Sequence, residues 1–330
     1  MSGLDLESII WIVTGRCNLN CKHCYASPYR VEVELGKAEA LRLAKELAEV
    51  GVKYINLTGG EPLLRKDIFE LLEYCIDLGI DVSVFTNMTL VSREVAEKLS
   101  RLEIYTLTSL DGHNREVFEL VRGHGSWERF LQGLSYARDA GVELHINISV
   151  NELNWMYIDK IISKAVELGG ASISLIPSMP AGNALKNRVY VTSDHFRQAI
   201  EMAAGKAEEL GMDVAVWCAP FIGLVTESKR IIYGSCRNWG VMDISPSGKA
   251  LICDVLNIRV ADVIKEGVLE AWRRLTTGKI GRMIHEPKIK SACMNCPQLS
   301  KCLGGCYARA YITYGDLESP DPLCPRIRGI

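Results

Sequence analysis

The 330-residue sequence predicts an α/β protein: a partial (β/α)6 TIM-like barrel over residues 1–212, then a small cysteine-rich domain with a β-hairpin over residues 213–330. Three observations carry this. Apolar or β-branched runs alternate with helical patterns from Ile9 to about residue 180, the rhythm stops after Gly211, and most of the later cysteines lie beyond that point.

Strands are expected at Ile9–Val13, Tyr54–Leu57, Val82–Phe85, Ile104–Leu107, Leu144–Val150 and Ile173–Ile176. Between them, apolar residues recur at helical spacing. Examples are Leu43, Ala44 and Leu47, then Ile68, Leu71, Leu72 and Cys75, then Phe130, Leu134 and Ala137. Such alternation makes parallel strands joined by crossover helices, and six units close part of a barrel. A further helical pattern, Asp194–Leu210, ends at Gly211, a residue suited to a helix C-cap. Beyond it, Val241–Asp254 reads as two short strands around Ser245-Pro246-Ser247-Gly248, a hairpin-turn composition.

Composition bounds the function. Thirty-eight basic against forty acidic side chains leave a net charge of −2, so no chain-wide field draws nucleic acid or anionic lipid. No apolar run reaches the length of a membrane span. The first ten residues also lack the positive region of a signal peptide, and a cytoplasmic location is expected. In that reducing compartment, twelve cysteines point to metal binding or catalysis rather than disulfides.

Cys17-x3-Cys21-x2-Cys24 follows the first strand, which puts three thiolates on one loop at the C-terminal mouth of the barrel. Three close thiolates suit an iron–sulfur cube with one iron lacking a protein ligand, whereas structural zinc completes four; the spacing alone leaves zinc open. After the second strand comes Thr58-Gly59-Gly60-Glu61. Its glycines let backbone approach a ligand and its acid can accept from an ammonium group, although alone it is a strand-to-helix turn. Later come Cys236 and Cys253, then Cys293-x2-Cys296-x5-Cys302-x3-Cys306, then Cys324. Such pairs suit zinc ribbons as readily as iron–sulfur sites. Cys75 lies on the sheet-facing side of its helix and reads as a packing residue.

Together these motifs resemble radical S-adenosylmethionine (SAM) enzymes with a C-terminal SPASM domain, over nearly the whole chain. The resemblance rests on the cysteine triad with His23 before its last member, on Gly59-Gly60-Glu61, Thr86-Asn87, Ser109-Leu110-Asp111-Gly112 and Arg122-Gly123, and on the seven later cysteines. It implies that Cys17, Cys21 and Cys24 hold a [4Fe-4S] cluster whose open iron takes the methionine end of SAM. Gly59, Gly60 and Glu61 would hold the SAM amino group, and Ser109 and Arg122 would contact its ribose or carboxylate. His23 and Asn147 are further cofactor candidates; Asn147 and Ser149 alternate on strand five and either point into the barrel or satisfy backbone.

The same resemblance implies two auxiliary [4Fe-4S] clusters. One would sit on Cys236, Cys253 and Cys306, the other on Cys293, Cys296, Cys302 and Cys324. Cys218 is the upstream candidate for a fourth ligand to the first, at a longer spacing than the pattern expects. Asp254 stands where sulfatase-maturing relatives carry a general base; a surface aspartate beside a hairpin is the other reading.

The implied activity is reductive cleavage of SAM to a 5′-deoxyadenosyl radical and hydrogen abstraction from a substrate, ending in oxidation or a cross-link. A peptide or protein side chain is the expected substrate. A haem, tetrapyrrole or metal-pterin precursor is the alternative, and the Leu175–Asn183 segment resembles the Pro-x-Gly stretch after the sixth strand of haem-pathway relatives. Only eight residues precede strand one, so any recognition of a peptide leader is expected to come from elsewhere. An external electron donor such as ferredoxin or flavodoxin is implied. A non-enzymatic multi-cluster electron carrier would need neither Gly59-Gly60-Glu61 nor Arg122.

Overall fold

The computed structural model describes residues 4–327. The six expected strands form, most of them slightly longer than their apolar runs: β1 Ser8–Thr14, β2 Tyr54–Gly59, β3 Asp81–Phe85, β4 Tyr105–Ser109, β5 Leu144–Val150 and β6 Ser172–Pro177. They pair in parallel in chain order. The crossovers are helical: α1 Lys37–Glu49, α2 Ile68–Asp77, α3 Arg93–Arg101, α4 Arg115–Arg122, α5 Ser126–Asp139 and α6 Ile158–Glu167. Each buries an apolar stripe, with Leu43, Ala44 and Leu47 inward on α1, as the sequence predicts, and Ile161, Ile162 and Ala165 inward on α6. Cys75 is fully buried on α2. After β6 come α7 Gly182–Asn187 and α8 Ser193–Leu210, and α8 ends on Gly211 in the left-handed conformation of a C-cap.

The sheet does not stop at six strands. β7 Val214–Val216 and β8 Ile231–Tyr233 extend it in parallel beyond β6. On the opposite side, β9 Val241–Ile244 pairs in parallel with β1, matching Ser8 to Val241 and Trp11 to Ile244. β10 Lys249–Leu251 and β11 Arg259–Asp262 then follow antiparallel. The expected hairpin therefore exists, but it extends the barrel's own sheet. The eleven strands run β11-β10-β9-β1-β2-β3-β4-β5-β6-β7-β8, and residue 212 marks the end of the long crossovers rather than a break in the sheet. Strands of three or four residues carry too few side chains for a period to register, and β9 finds its partner more than 200 residues away.

Core burial is equally continuous, with one cluster running from Trp11 and Ile146 through Ile244 to Leu323. In the short-helix region Arg237 is buried and donates to the carbonyls of Gly305, Met283, Ile284 and Leu317, so one guanidinium organises three loops. Among the described residues, no helix is long and apolar enough to cross a membrane.

Candidate active site and cluster sites

The C-terminal ends of β1 to β4 converge on the cysteine loop. Cys17, Cys21 and Cys24 sit just past β1, and the loop is pinned from outside: Lys22 N donates to Val121 O at 2.9 Å, and Asn183 of α7 donates to Cys24 O at 2.8 Å and to Cys21 O at 3.0 Å. The Cys17 sulfur accepts from Leu19 N at 3.4 Å and from Asn87 Nδ2 at 3.9 Å. Burial raises all three thiol pKa values, Cys21 to about 12. A bound metal would have to displace those protons, so the loop is preorganised in shape but not in charge.

Four thiolates on one tetrahedral zinc lie about 3.8 Å apart, from a Zn–S length of about 2.3 Å. Among the described residues, the one group of three metal-capable side chains with ligand atoms all within 4.8 Å is Asp243, Cys253 and Asp254. Among the described residues, no three sulfurs of the triad or of the later cysteine sets come that close together, and all-thiolate donor sets are the ones that iron–sulfur clusters take.

The turn after β2 locks onto this loop. Gly60 N donates to Thr14 O at 2.8 Å and Glu61 N to Arg16 O at 2.7 Å. A Cβ on Gly59 would lie 2.4 Å from Thr14 O, and one on Gly60 2.2 Å from Arg16 O. Close contact between two segments of the protein itself therefore already requires the paired glycines. Glu61 is fully buried; its carboxylate accepts from Thr86 Oγ1 at 2.8 Å, Asn87 N at 2.7 Å and Leu63 N at 3.1 Å. Burial raises its pKa to about 7 despite these donors. Three of its roughly four lone-pair positions are taken, which leaves one for an ammonium.

At the end of β4 the sequence reading passed over the residue that organises the site. Asp111, fully buried, accepts from Arg122 Nε at 2.7 Å and from Ser149 N at 2.9 Å, and its Oδ2 lies 3.3 Å from His23 Nε2. It ties the cysteine loop, α4 and β5 together. His23 is held neutral, its pKa lowered to about 4 by burial, and its Nδ1 is a buried atom without a partner. With the proton on Nε2 facing Asp111, Nδ1 is an acceptor. Ser109 pairs with Asn147 across β4 and β5, and Asn147 donates to Ser174 Oγ at 2.8 Å on the polar side of β5 it shares with His145 and Ser149. Its amide group is thus bonded to a side chain rather than to backbone.

The later cysteines fall into two sets. Cys218 follows β7, Cys236 follows β8, Cys253 follows β10, and Cys306 caps the helix Tyr307–Tyr314. Their thiols influence one another: burial raises Cys218 most, followed by Cys306 and Cys236. Cys218 thus lies near Cys236 and Cys306 despite its long sequence spacing, in a left-handed backbone conformation at φ 56°. Cys293, Cys296, Cys302 and Cys324 line a single pocket. Asp254 is half-buried: Tyr25 Oη donates to its carboxylate, its amide donates to Asp243 at 2.7 Å, and its carbonyl accepts from Tyr29 Oη at 2.6 Å. It is no surface residue. Tyr25, directly after Cys24, is the signal that the sequence offered and the reading did not use.

The fold and site are those of an α/β-barrel enzyme with a three-thiolate cluster loop at its mouth and a cysteine-rich C-terminal region. The chain belongs to the radical SAM superfamily: residues 11–165 match that family, and an AdoMet-dependent heme synthase of Methanosarcina barkeri is 30% identical across 96% of this chain and 95% of its own. The mycofactocin maturase MftC of Mycolicibacterium smegmatis is 27% identical over 98% of this chain and 83% of its own. Streptococcus suis SuiB, solved bound to the precursor peptide SuiA, shares the fold with a TM-score of 0.79 at 19% identity, covering 98% of this chain and 77% of that one.

Proposed function

We propose that this chain binds SAM at the mouth built by the cysteine triad, Glu61 and Asp111, and uses it to oxidise or cross-link a peptide or protein side chain. The observation that carries this reading is the convergence of four strand ends on one loop: β1 brings the thiols, β2 Glu61, β3 its donors Thr86 and Asn87, and β4 Asp111 with its partners His23 and Arg122. A [4Fe-4S] cluster on the triad supplies, when bound, the electron that cleaves SAM to methionine and a 5′-deoxyadenosyl radical, and auxiliary clusters supply an acceptor for the second electron of an oxidation.

The chain's own residues bind and orient. Glu61 offers its remaining lone pair to the SAM ammonium, which would draw its pKa back down. Arg122 spends Nε on Asp111, and its two Nη groups make no hydrogen bond among the described residues; they are the donors for a carboxylate or ribose. Asp111 fixes that fork and turns His23 Nδ1 into an acceptor for an amine N–H. Asp254 is the group that takes a proton from the substrate, with Tyr25 holding its orientation. Cys218, Cys236, Cys253 and Cys306 would hold one auxiliary [4Fe-4S] cluster, and Cys293, Cys296, Cys302 and Cys324 the other.

The complete later cysteine set and the likeness to MftC favour a peptide substrate. A second reading, a haem precursor, is favoured by the 30% identity to the heme synthase. An acidic one-electron carrier of the ferredoxin or flavodoxin type and a cytoplasmic setting complete the proposal, since twelve free thiols need reducing surroundings. Anaerobically reconstituted protein should hold about twelve irons per chain, four to a cube, and form 5′-deoxyadenosine from SAM under reduction. Zinc in place of iron, or intact SAM, would sink the reading. Mass change of peptides encoded beside the gene, against turnover of iron-coproporphyrin, decides between the substrates.

A further inference from the structure

Between the two later cysteine sets lies a buried ion pair that the reaction above does not use. Arg309 and Asp321 are 2% and 1% exposed. Arg309 Nη1 donates to both carboxylate oxygens of Asp321, at 2.8 and 2.7 Å. The guanidinium's other end, Nη2, donates to Cys218 O at 3.0 Å and contacts Met179 Sδ at 3.4 Å. The carboxylate accepts from Cys306 N at 2.9 Å and Leu323 N at 3.0 Å, and Asp321 O accepts from Cys324 N at 3.0 Å. Asp321 also lines the pocket of Cys293, Cys296, Cys302 and Cys324, whereas Arg309 does not.

The pair is thus oriented. Its positive end reaches Cys218 O in the first set; its carboxylate accepts from Cys306 N at the edge of that set and is the end that lines the pocket of the second. The Arg309 backbone N–H adds a 3.5 Å contact to the Cys306 sulfur at the N-terminus of the helix Tyr307–Tyr314, a further partial positive charge on the first set. In surroundings this dry an ion pair acts on its neighbours as a fixed dipole.

We propose that the Arg309–Asp321 pair splits the reduction potentials of the two auxiliary clusters, making the cluster of Cys218, Cys236, Cys253 and Cys306 the stronger electron acceptor. A nearby positive charge favours the reduced, more negative cluster and raises its potential; a nearby negative charge lowers it. Arg309 and Asp321 are positioning residues in this role, and neither touches substrate. The inference rests on the two-cluster reading of the later cysteines.

Potentiometric titration of the reconstituted full chain, followed by electron paramagnetic resonance, tests it. Signals are assigned to sites by their loss in Cys236→Ser and Cys302→Ser. Asp321→Asn should raise chiefly the second-site midpoint and Arg309→Met should lower chiefly the first-site midpoint. Arg309→Met/Asp321→Asn should narrow the gap between them. Midpoints that move together, or not at all, with iron content unchanged, overturn the inference while leaving the cluster assignment standing. Fewer than three clusters in the wild-type chain would instead sink the cluster reading and this inference with it. If a single variant cannot hold iron because it leaves a buried charge unpaired, the double variant decides alone, an unchanged gap overturning the proposal.

Discussion

Tyr25 donates its phenolic hydrogen to Asp254, and this one hydrogen bond joins the neighbour of Cys24 to the neighbour of Cys253 across the seam between β1 and the hairpin. Tyr29 reinforces the link through Asp254 O, and Asp243 accepts from Asp254 N. The proposed base is therefore positioned by the same loop that carries the triad.

Burial raises the Asp254 pKa, and the Tyr25 hydrogen bond works against it. Tyr25→Phe removes that counterweight, so the acid limb of the pH profile for substrate oxidation should move to higher pH, with kcat falling about 10- to 100-fold. Formation of 5′-deoxyadenosine should continue, uncoupled from product. Product and 5′-deoxyadenosine measured together across pH check this, and a profile superimposable on wild type would remove Tyr25 from the mechanism.

Glu61 should leave a signature in stability. Its pKa is raised from 4.5 to about 7, so the folded protein binds the extra proton and the group's contribution declines as pH rises from 4.5 to 7, by about 3 kcal/mol. His23 and His145, both lowered from 6.5 to about 4 by burial, run the opposite way, gaining stability from pH 4 to 6.5. Comparison with Glu61→Gln, which does not titrate, isolates the carboxyl. Urea titrations of metal-free protein at several pH values should show wild-type stability falling relative to the variant over that window and flat above it.

Asp111→Asn leaves the buried Arg122 without a counter-charge. A loss of about 3–5 kcal/mol in stability is expected, together with weakened SAM binding. Pairing it with Arg122→Met should restore much of the stability and none of the SAM affinity. Denaturation and calorimetry on the same preparations separate the two effects.

Cys218→Ser should reduce iron from about twelve to about eight per chain, or leave the first auxiliary cluster labile, whereas Cys75→Ser should change iron content not at all, its thiol being packed on α2. Full iron retention in Cys218→Ser would show that another group completes that site.

A methyl group at Gly60 would test the loop itself. Its Cβ would meet Arg16 O at 2.2 Å, so Gly60→Ala should displace the cysteine loop and lower both iron retention and thermal stability. Circular dichroism melting with iron analysis reads both.

The sequence by itself determined the six barrel strands, their crossover helices, and the spacing of the triad and of the later cysteines. These are local properties: apolar periods over five to eighteen residues, and ligands separated by two to five positions along one loop. Tertiary structure decided the rest. Only pairing shows that β7 and β8 lengthen the sheet at one edge and β9 to β11 at the other, because these short strands owe their stability to partners distant in sequence. Only packing turns Asp111 into the hub of His23, Arg122 and Ser149, brings Cys218 to Cys236 and Cys306, and sets Tyr25 against Asp254 229 positions away. A buried polar side chain takes its role from whichever groups must satisfy it, and those groups are chosen by the fold, not by neighbours in the chain.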